Sequence, residues 1–341
     1  MKKAVTFAIS LLFLLAIQVP GIAAPAGTGK VYDLKIATVV ADTSPLHLSM
    51  LKALEEIEKN APGRFKIRIY PNSQMGGERD VANGLLLGTV HAAIISDGTI
   101  SMVDTLRMAE VGNTPFLIKS IPAFYAMCEE FFGDMINKEY ERRGFTNVAY
   151  YLAGGVDVGN TKKPIEKPQD FQGLKIRTYE AAGPMKFLKD IGAIPVAMAF
   201  GEVYTGMQQG TIDGVSTSDF QFVSQKFTDL CKHQTAYHVF YNYQSFTFSK
   251  AWMDSLPEDL QQVIKKAGKV SQDYCRDVVS VEFGKKTYAA IEAEGVKLVR
   301  LTPEQRQAFV DVLKPTYPEY RKMYGEEVFD RVQKFMDAWK E

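Results

Sequence analysis

The run Gly173-Leu174-Lys175-Ile176-Arg177 sets one arginine where a β-prone segment meets a turn. Leu174 to Ile176 reads as a short strand, and Tyr179-Glu180-Ala181-Ala182-Gly183 reads as a loop leading into a helix. Arg177 is therefore predicted at the C-terminal end of a strand. In open α/β folds, ligands bind in the crevice beyond those ends, and a guanidinium there presents a planar fork matched to a carboxylate. The same position suits a structural ion pair with a neighbouring Asp or Glu, and the local sequence leaves both readings standing.

No catalytic set assembles around this arginine. The chain has no GxSxG, HExxH or Walker A phrase, and Gly76-Gly77 and Gly154-Gly155 fit turns or hinges better than a nucleotide loop. His47, His91, His233 and His238 lack metal-ligand spacing, so neither a metal nor a cofactor is expected. Cys128, Cys231 and Cys275 lie far apart without a CxxC pair; at least one must be free, and all three suit small buried apolar positions, with a single disulfide left open. With 40 basic against 40 acidic residues the chain has no general attraction for polyanions, and nucleic acid is not an expected partner. An enzyme whose residues are scattered in sequence is one alternative class, and a ligand-sensing partner of a membrane receptor is the other.

A longer phrase surrounds the arginine. Pro168, Asp170-Phe171 and Gly173-Leu174-Lys175-Ile176-Arg177 are followed by Gly192-Ala193, Pro195, Phe200-Gly201-Glu202-Val203-Tyr204, Gln208, Gly210 and Ile212-Asp213-Gly214. With Pro71-Asn72-Ser73-Gln74-Met75-Gly76-Gly77-Glu78-Arg79 and Gly88-Thr89-Val90 upstream, this order resembles the DctP-type solute receptors of tripartite ATP-independent periplasmic (TRAP) transporters, over nearly all the chain after residue 31. The resemblance implies a non-enzymatic receptor with a two-lobed periplasmic binding protein fold, and small and large membrane subunits as partners. It implies that Arg177 pairs with the carboxylate of an organic acid. Where the family often carries a second basic residue this chain has Asp157, a departure that would hold a ligand hydroxyl or amine, or neutralise Arg177. Thr217 stands where an amide often bonds the carboxylate, and Phe200 where an aromatic ring stacks on the ligand.

From the first half of the chain, Glu78 at a helix start and Ser96-Asp97 at a strand end are candidates for the ligand's far end; Glu78 suits helix-dipole capping equally well. Tyr179, Phe220 and Tyr237 are further aromatic candidates. Together with Asp157 they are compatible with a hydroxylated or an aromatic monocarboxylate and do not choose between them.

These residues need elements to hold them. Lys2-Lys3, an uncharged run from Ala4 to Ile17 and small residues at Ala24 and Ala26 read as a secretory signal peptide over 1–26, which places the protein in the periplasm. Losing it leaves about 315 of 341 residues and a net charge of about −2. That length predicts two lobes. Leu34 to Val40, Phe65 to Ile69 and Ala92 to Ser96 read as strands alternating with helices from Pro45 and Glu78, a pattern for a doubly wound α/β sheet. The expected division is 31–154 with about 243–280 for the first lobe, 155–242 with about 281–310 for the second, and 311–341 as C-terminal helices. The chain is expected to cross near Gly154 and return through one strand from Phe240 to Phe248. A helix from Pro257 to about Glu294 is long enough to touch both lobes, and Gly268 and Gly284 are the positions where it could kink.

Overall fold

The computed structural model describes residues 29–152, 154–241 and 243–340; the signal-peptide reading at 1–26 lies outside them. Eleven strands form among the described residues: β1 (Tyr32–Thr38), β2 (Phe65–Tyr70), β3 (Ala92–Ser96), β4 (Phe145–Tyr151), β5 (Val156–Asn160), β6 (Lys175–Thr178), β7 (Ile194–Ala197), β8 (Gly214–Ser218), β9 (His233–Phe240), β10 (Gln244–Ser249) and β11 (Lys297–Arg300). They make two helix-flanked sheets, ordered β2-β1-β3-β10-β4 and β11-β9-β5-β8-β6-β7. The two-lobed α/β architecture read from the sequence is the one observed.

Local chemistry accounts for the elements around the cleft. The Ser44 hydroxyl accepts from the Leu46 amide and Pro45 occupies the first turn, starting helix α1 (Pro45–Asn60). Helix α2 (Glu78–Leu87) starts where the Asp80 carboxylate accepts from the Gly77 amide at 2.9 Å, and ends at Gly88 with φ +72°, a left-handed conformation natural to glycine. β3 is buried along its whole length, as its run of apolar residues requires of a central strand.

Neither sheet is wholly parallel, unlike the doubly wound pattern read from the first units. β10 runs antiparallel to both β3 and β4, and β5 antiparallel to both β8 and β9. The cause is the crossing: the other strands end at the cleft, so one arriving from the opposite lobe begins there and must run away from it. The stretch from Phe240 to Phe248 is accordingly two strands in two different sheets, β9 ending at Phe240 and β10 beginning at Gln244.

The helix from Glu258 runs to Ala293 and touches both sheets' layers, its first part packing on α1 and β4 and its last part on the Asp219–Ser224 helix and β11. Its irregularity is a π turn at Cys275–Val279, not a glycine kink. The extra residue of such a turn rephases the helix face where it passes from one lobe to the other. Gly268 has a packing role instead, since a Cβ there would lie 2.4 Å from the Val148 carbonyl oxygen.

Helix Pro303–Leu313 begins with a reciprocal Thr302–Gln305 cap and buries Phe309 and Leu313 in the core around Phe171, Phe187 and Tyr237. The last two helices, Tyr317–Tyr324 and Glu326–Ala338, return to the first lobe and bury Tyr320, Phe329 and Val332 beside Phe124 and Phe132. All three cysteines are free and buried.

Candidate functional site

A partly open cleft with an accessible volume of about 50 Å³ lies between the two sheets' strand ends. Arg177, third residue of the four-residue β6, is 4 % exposed and lines it. Its Nε and Nη2 donate to the Met198 carbonyl at 3.0 and 2.8 Å, and its guanidinium carbon lies 5.2 Å from the centroid of the Phe200 ring. These contacts hold one edge of the fork and one face. The other edge, Nη1 with the second proton of Nη2, has no hydrogen-bond partner among the described residues, and no carboxylate among them lies within ion-pair distance. The structural ion pair is therefore not formed. Burial pushes the Arg177 pKa down to about 10, opposed by the Glu78 and Tyr179 charges, so the group is a cation at neutral pH.

Glu78 and Ser96 face the same cleft from the first lobe. The Glu78 carboxylate accepts from the Ser96 amide at 3.0 Å and from its hydroxyl at 2.6 Å, which ties the first turn of α2 to the end of β3. Asp80 accepts from the Gly77 amide at the start of α2, and Glu78 is the second acidic group in that first turn. From the second lobe come Thr217 and Phe200, with Ser218. The Thr217 and Ser218 hydroxyls each donate to Gln221 Oε1 at 2.9 Å, so their protons are committed inside the protein and their lone pairs remain.

Two candidates do not line the cleft. Asp97 sits behind it, fully buried, where Oδ1 accepts from the Tyr179 hydroxyl at 2.7 Å and Oδ2 from Asn113 Nδ2 at 3.2 Å. Burial pushes its pKa up to about 8, the bonds from Tyr179 and Asn113 opposing and the Glu110 charge adding to the rise. The Asp157 carboxylate is taken up inside the protein: Oδ1 accepts from the Tyr237 and His238 amides, both at 3.0 Å, and Oδ2 from the Tyr288 hydroxyl at 2.7 Å. It neither meets Arg177 nor lines the cleft; Val156, one residue earlier on β5, does. Asp157 stands opposite Thr217 in the ladder and shares its face, but the register between β5 and β9 shifts at this point and sets the Tyr237 and His238 amides on its carboxylate. Of the aromatic candidates, Tyr179 lines the cleft, whereas Phe220 and Tyr237 are core residues.

The fold also brings together residues the sequence reading passed over: Asn113, Gln221 and Gln244 line the cleft, and Met198 orients Arg177. Asp157, Asp219 and His238 place carboxylate and imidazole atoms within 4.8 Å of one another, although no spacing in the chain marks them. The Asp219 carboxyl is held well above the usual range by burial, with the Asp157 charge adding to it. The hydrogen bonds of this cluster run to the protein's own Tyr288, Tyr237 and Phe220.

The lobes touch around the cleft. Besides Tyr179 to Asp97, Arg79 pairs with Glu180 at 2.7 Å, and Glu110 accepts from the Ala182 amide at 3.1 Å, capping the Ala182–Asp190 helix from the opposite lobe. At Gly98 a Cβ would lie 2.7 Å from the Ala181 Cβ, so the approach needs glycine.

Residues 36–323 match the family described as bacterial extracellular solute-binding protein, family 7, DctP. The chain belongs to that family. A C4-dicarboxylate-binding periplasmic protein DctP from Rhodobacter capsulatus is 29 % identical over 94 % of this chain and 93 % of its own. Among solved structures, a TRAP periplasmic solute-binding protein from Shewanella oneidensis with bound succinate is 27 % identical, covers 90 % of this chain and 100 % of its own, and superposes with a TM-score of 0.84. Another, from Polaromonas sp. JS666 and bound to D-erythronate, is 26 % identical over 88 % of this chain and 98 % of its own, with a TM-score of 0.83. Similarity thus spans both sheets of this family 7 protein and the crossings between them.

Proposed function

We propose that this family 7 protein is a periplasmic receptor that captures a small organic acid in the cleft and delivers it to the small and large membrane subunits of a TRAP transporter. The observation that carries the reading is Arg177: a buried cation at a strand end, oriented by Met198 and Phe200, with one fork edge uncommitted toward the cleft. A carboxylate completes that edge with two parallel charge-assisted bonds. A ligand touching both lobes favours the closed arrangement by its differential affinity, and the closed form is what the membrane subunits read. The crossings beside Gly154 and Tyr243 are the hinge segments. No helix among the described residues is long and apolar enough to cross a membrane, which fits a receptor that hands its cargo to separate membrane subunits.

The relatives' bound succinate and erythronate support an organic acid here. The reading makes the protein a carrier with no turnover. A thermal-shift screen of organic acids tests it: a ligand at a hundredfold excess over Kd adds about 2.7 kcal/mol of stability. The ligand should be recovered chemically unchanged. A screen in which no acid raises the melting temperature, or recovery of a converted product, contradicts the receptor reading.

A further inference from the structure

The cleft holds one cation and, around it, an excess of acceptors. Asn113 is fully buried and lines the cleft, and its Oδ1 has no hydrogen-bond partner. Its Nδ2 donates to the Asp97 carboxyl at 3.2 Å and to the Tyr179 oxygen at 2.8 Å, which leaves Oδ1 as the atom to be satisfied. Gln244 Oε1, at the start of β10, is likewise buried in the cleft wall without a partner. Glu78 adds a carboxylate whose two oxygens each accept from Ser96 and keep further lone pairs. Thr217 and Ser218 have spent their protons on Gln221 and offer lone pairs alone.

An unpartnered buried acceptor is costly unless a ligand supplies the donor. We infer that the cargo is a monocarboxylate bearing hydroxyl or ammonium donors toward Glu78, Asn113 and Gln244, and that dicarboxylates are selected against. This rests on the receptor reading, with the carboxylate at Arg177. A second carboxylate at the far end would bring no donor to the Asn113 and Gln244 oxygens and would set like charge against Glu78, a juxtaposition that interfaces use to reject wrong partners. The specificity-determining residues are then Glu78, by charge, and Asn113 and Gln244, by unpaired oxygens. The reading separates this chain from its relatives named for C4-dicarboxylates.

Titration calorimetry on the exported protein tests it with acids matched in length: D-erythronate, 4-aminobutyrate and succinate at four carbons, and D-gluconate, 6-aminohexanoate and adipate at six. The expected result is that a hydroxylated or amino acid binds at least about tenfold tighter than the dicarboxylate of its length. The better of the two identifies the donor as hydroxyl or ammonium. Glu78→Gln, which removes the charge and keeps one acceptor oxygen for the Ser96 amide, should narrow that gap by about fivefold or more. Gln244→Met, which leaves both lobes' hydrogen-bonded strand ends in place, should weaken the donor-bearing ligand and leave the dicarboxylate unchanged. A dicarboxylate binding as tightly as its partners, with the gap unmoved in Glu78→Gln, overturns this inference and leaves the receptor reading standing. Binding by none of the six overturns both.

Discussion

The Tyr179 hydroxyl, carried by the second lobe, donates to Asp97 of the first at 2.7 Å while accepting from Asn113 at 2.8 Å. One phenol thus joins the lobes two residues from Arg177, and closure is built from groups adjacent to the ligand. Tyr179→Phe leaves a buried carboxyl and a buried amide without that partner, at a cost of about 1–3 kcal/mol to the closed state. We expect roughly tenfold or greater loss of ligand affinity in calorimetry, and a wider small-angle scattering profile at subsaturating ligand. Wild-type affinity would show that the bond does not contribute to closure.

The same pair gives the protein a pH dependence with a definite sign. Burial raises Asp97 to about 8 and Glu110 above its ordinary value, so both bind protons in the folded protein that the unfolded chain has already released. Their contribution is fully present below the unfolded pKa of about 4 and is lost as pH rises through the folded values. Melting temperature should therefore fall between about pH 5 and pH 8.5. Asp97→Asn should flatten that slope, and an unchanged slope in this variant would contradict the assignment.

Asp157 should behave as a structural residue. Asp157→Ala leaves two amides and the Tyr288 hydroxyl without their acceptor, so we expect a loss of about 1–3 kcal/mol in denaturant unfolding. Ligand affinity should stay within about twofold once folding is confirmed. A large affinity change without a stability change would place Asp157 at the ligand after all.

Gly268→Ala should destabilise the first lobe by about 1–3 kcal/mol, because its Cβ would meet the Val148 carbonyl at 2.4 Å and force the long helix off β4. Gly284→Ala, where a Cβ meets open space in the same long helix, should be neutral or slightly stabilising.

Particular residues show why some of the site was legible and some was not. Arg177, Glu78 and Ser96 were readable because each stands at an element end marked by its own neighbours: a β-prone run before a turn, a Gly-Gly before a helix, an apolar strand running out. Asp157 was misread because its partners are non-local: a register shift between β5 and β9 sets the Tyr237 and His238 amides on its carboxylate, and the long helix adds the Tyr288 hydroxyl. Asn113, Gln221 and Gln244 carry no local signal of function. They lie on a 3-10 turn, a short helix and a returning strand, and only the double crossing brings positions 113 and 244 to one cleft. The π turn at Cys275–Val279 escaped for a similar reason, as no glycine or proline marks it.

Whether Arg177 receives the ligand's carboxylate is decided by calorimetry on Arg177→Ala and Arg177→Lys with a ligand found by the thermal-shift screen. Removing the guanidinium strands a desolvated carboxylate, so Arg177→Ala should lose about 2–5 kcal/mol of binding. Lysine keeps the charge without the fork and cannot serve Met198 and a carboxylate edge together, so Arg177→Lys should remain folded and bind well below wild type. Wild-type affinity in a folded Arg177→Ala would contradict the account.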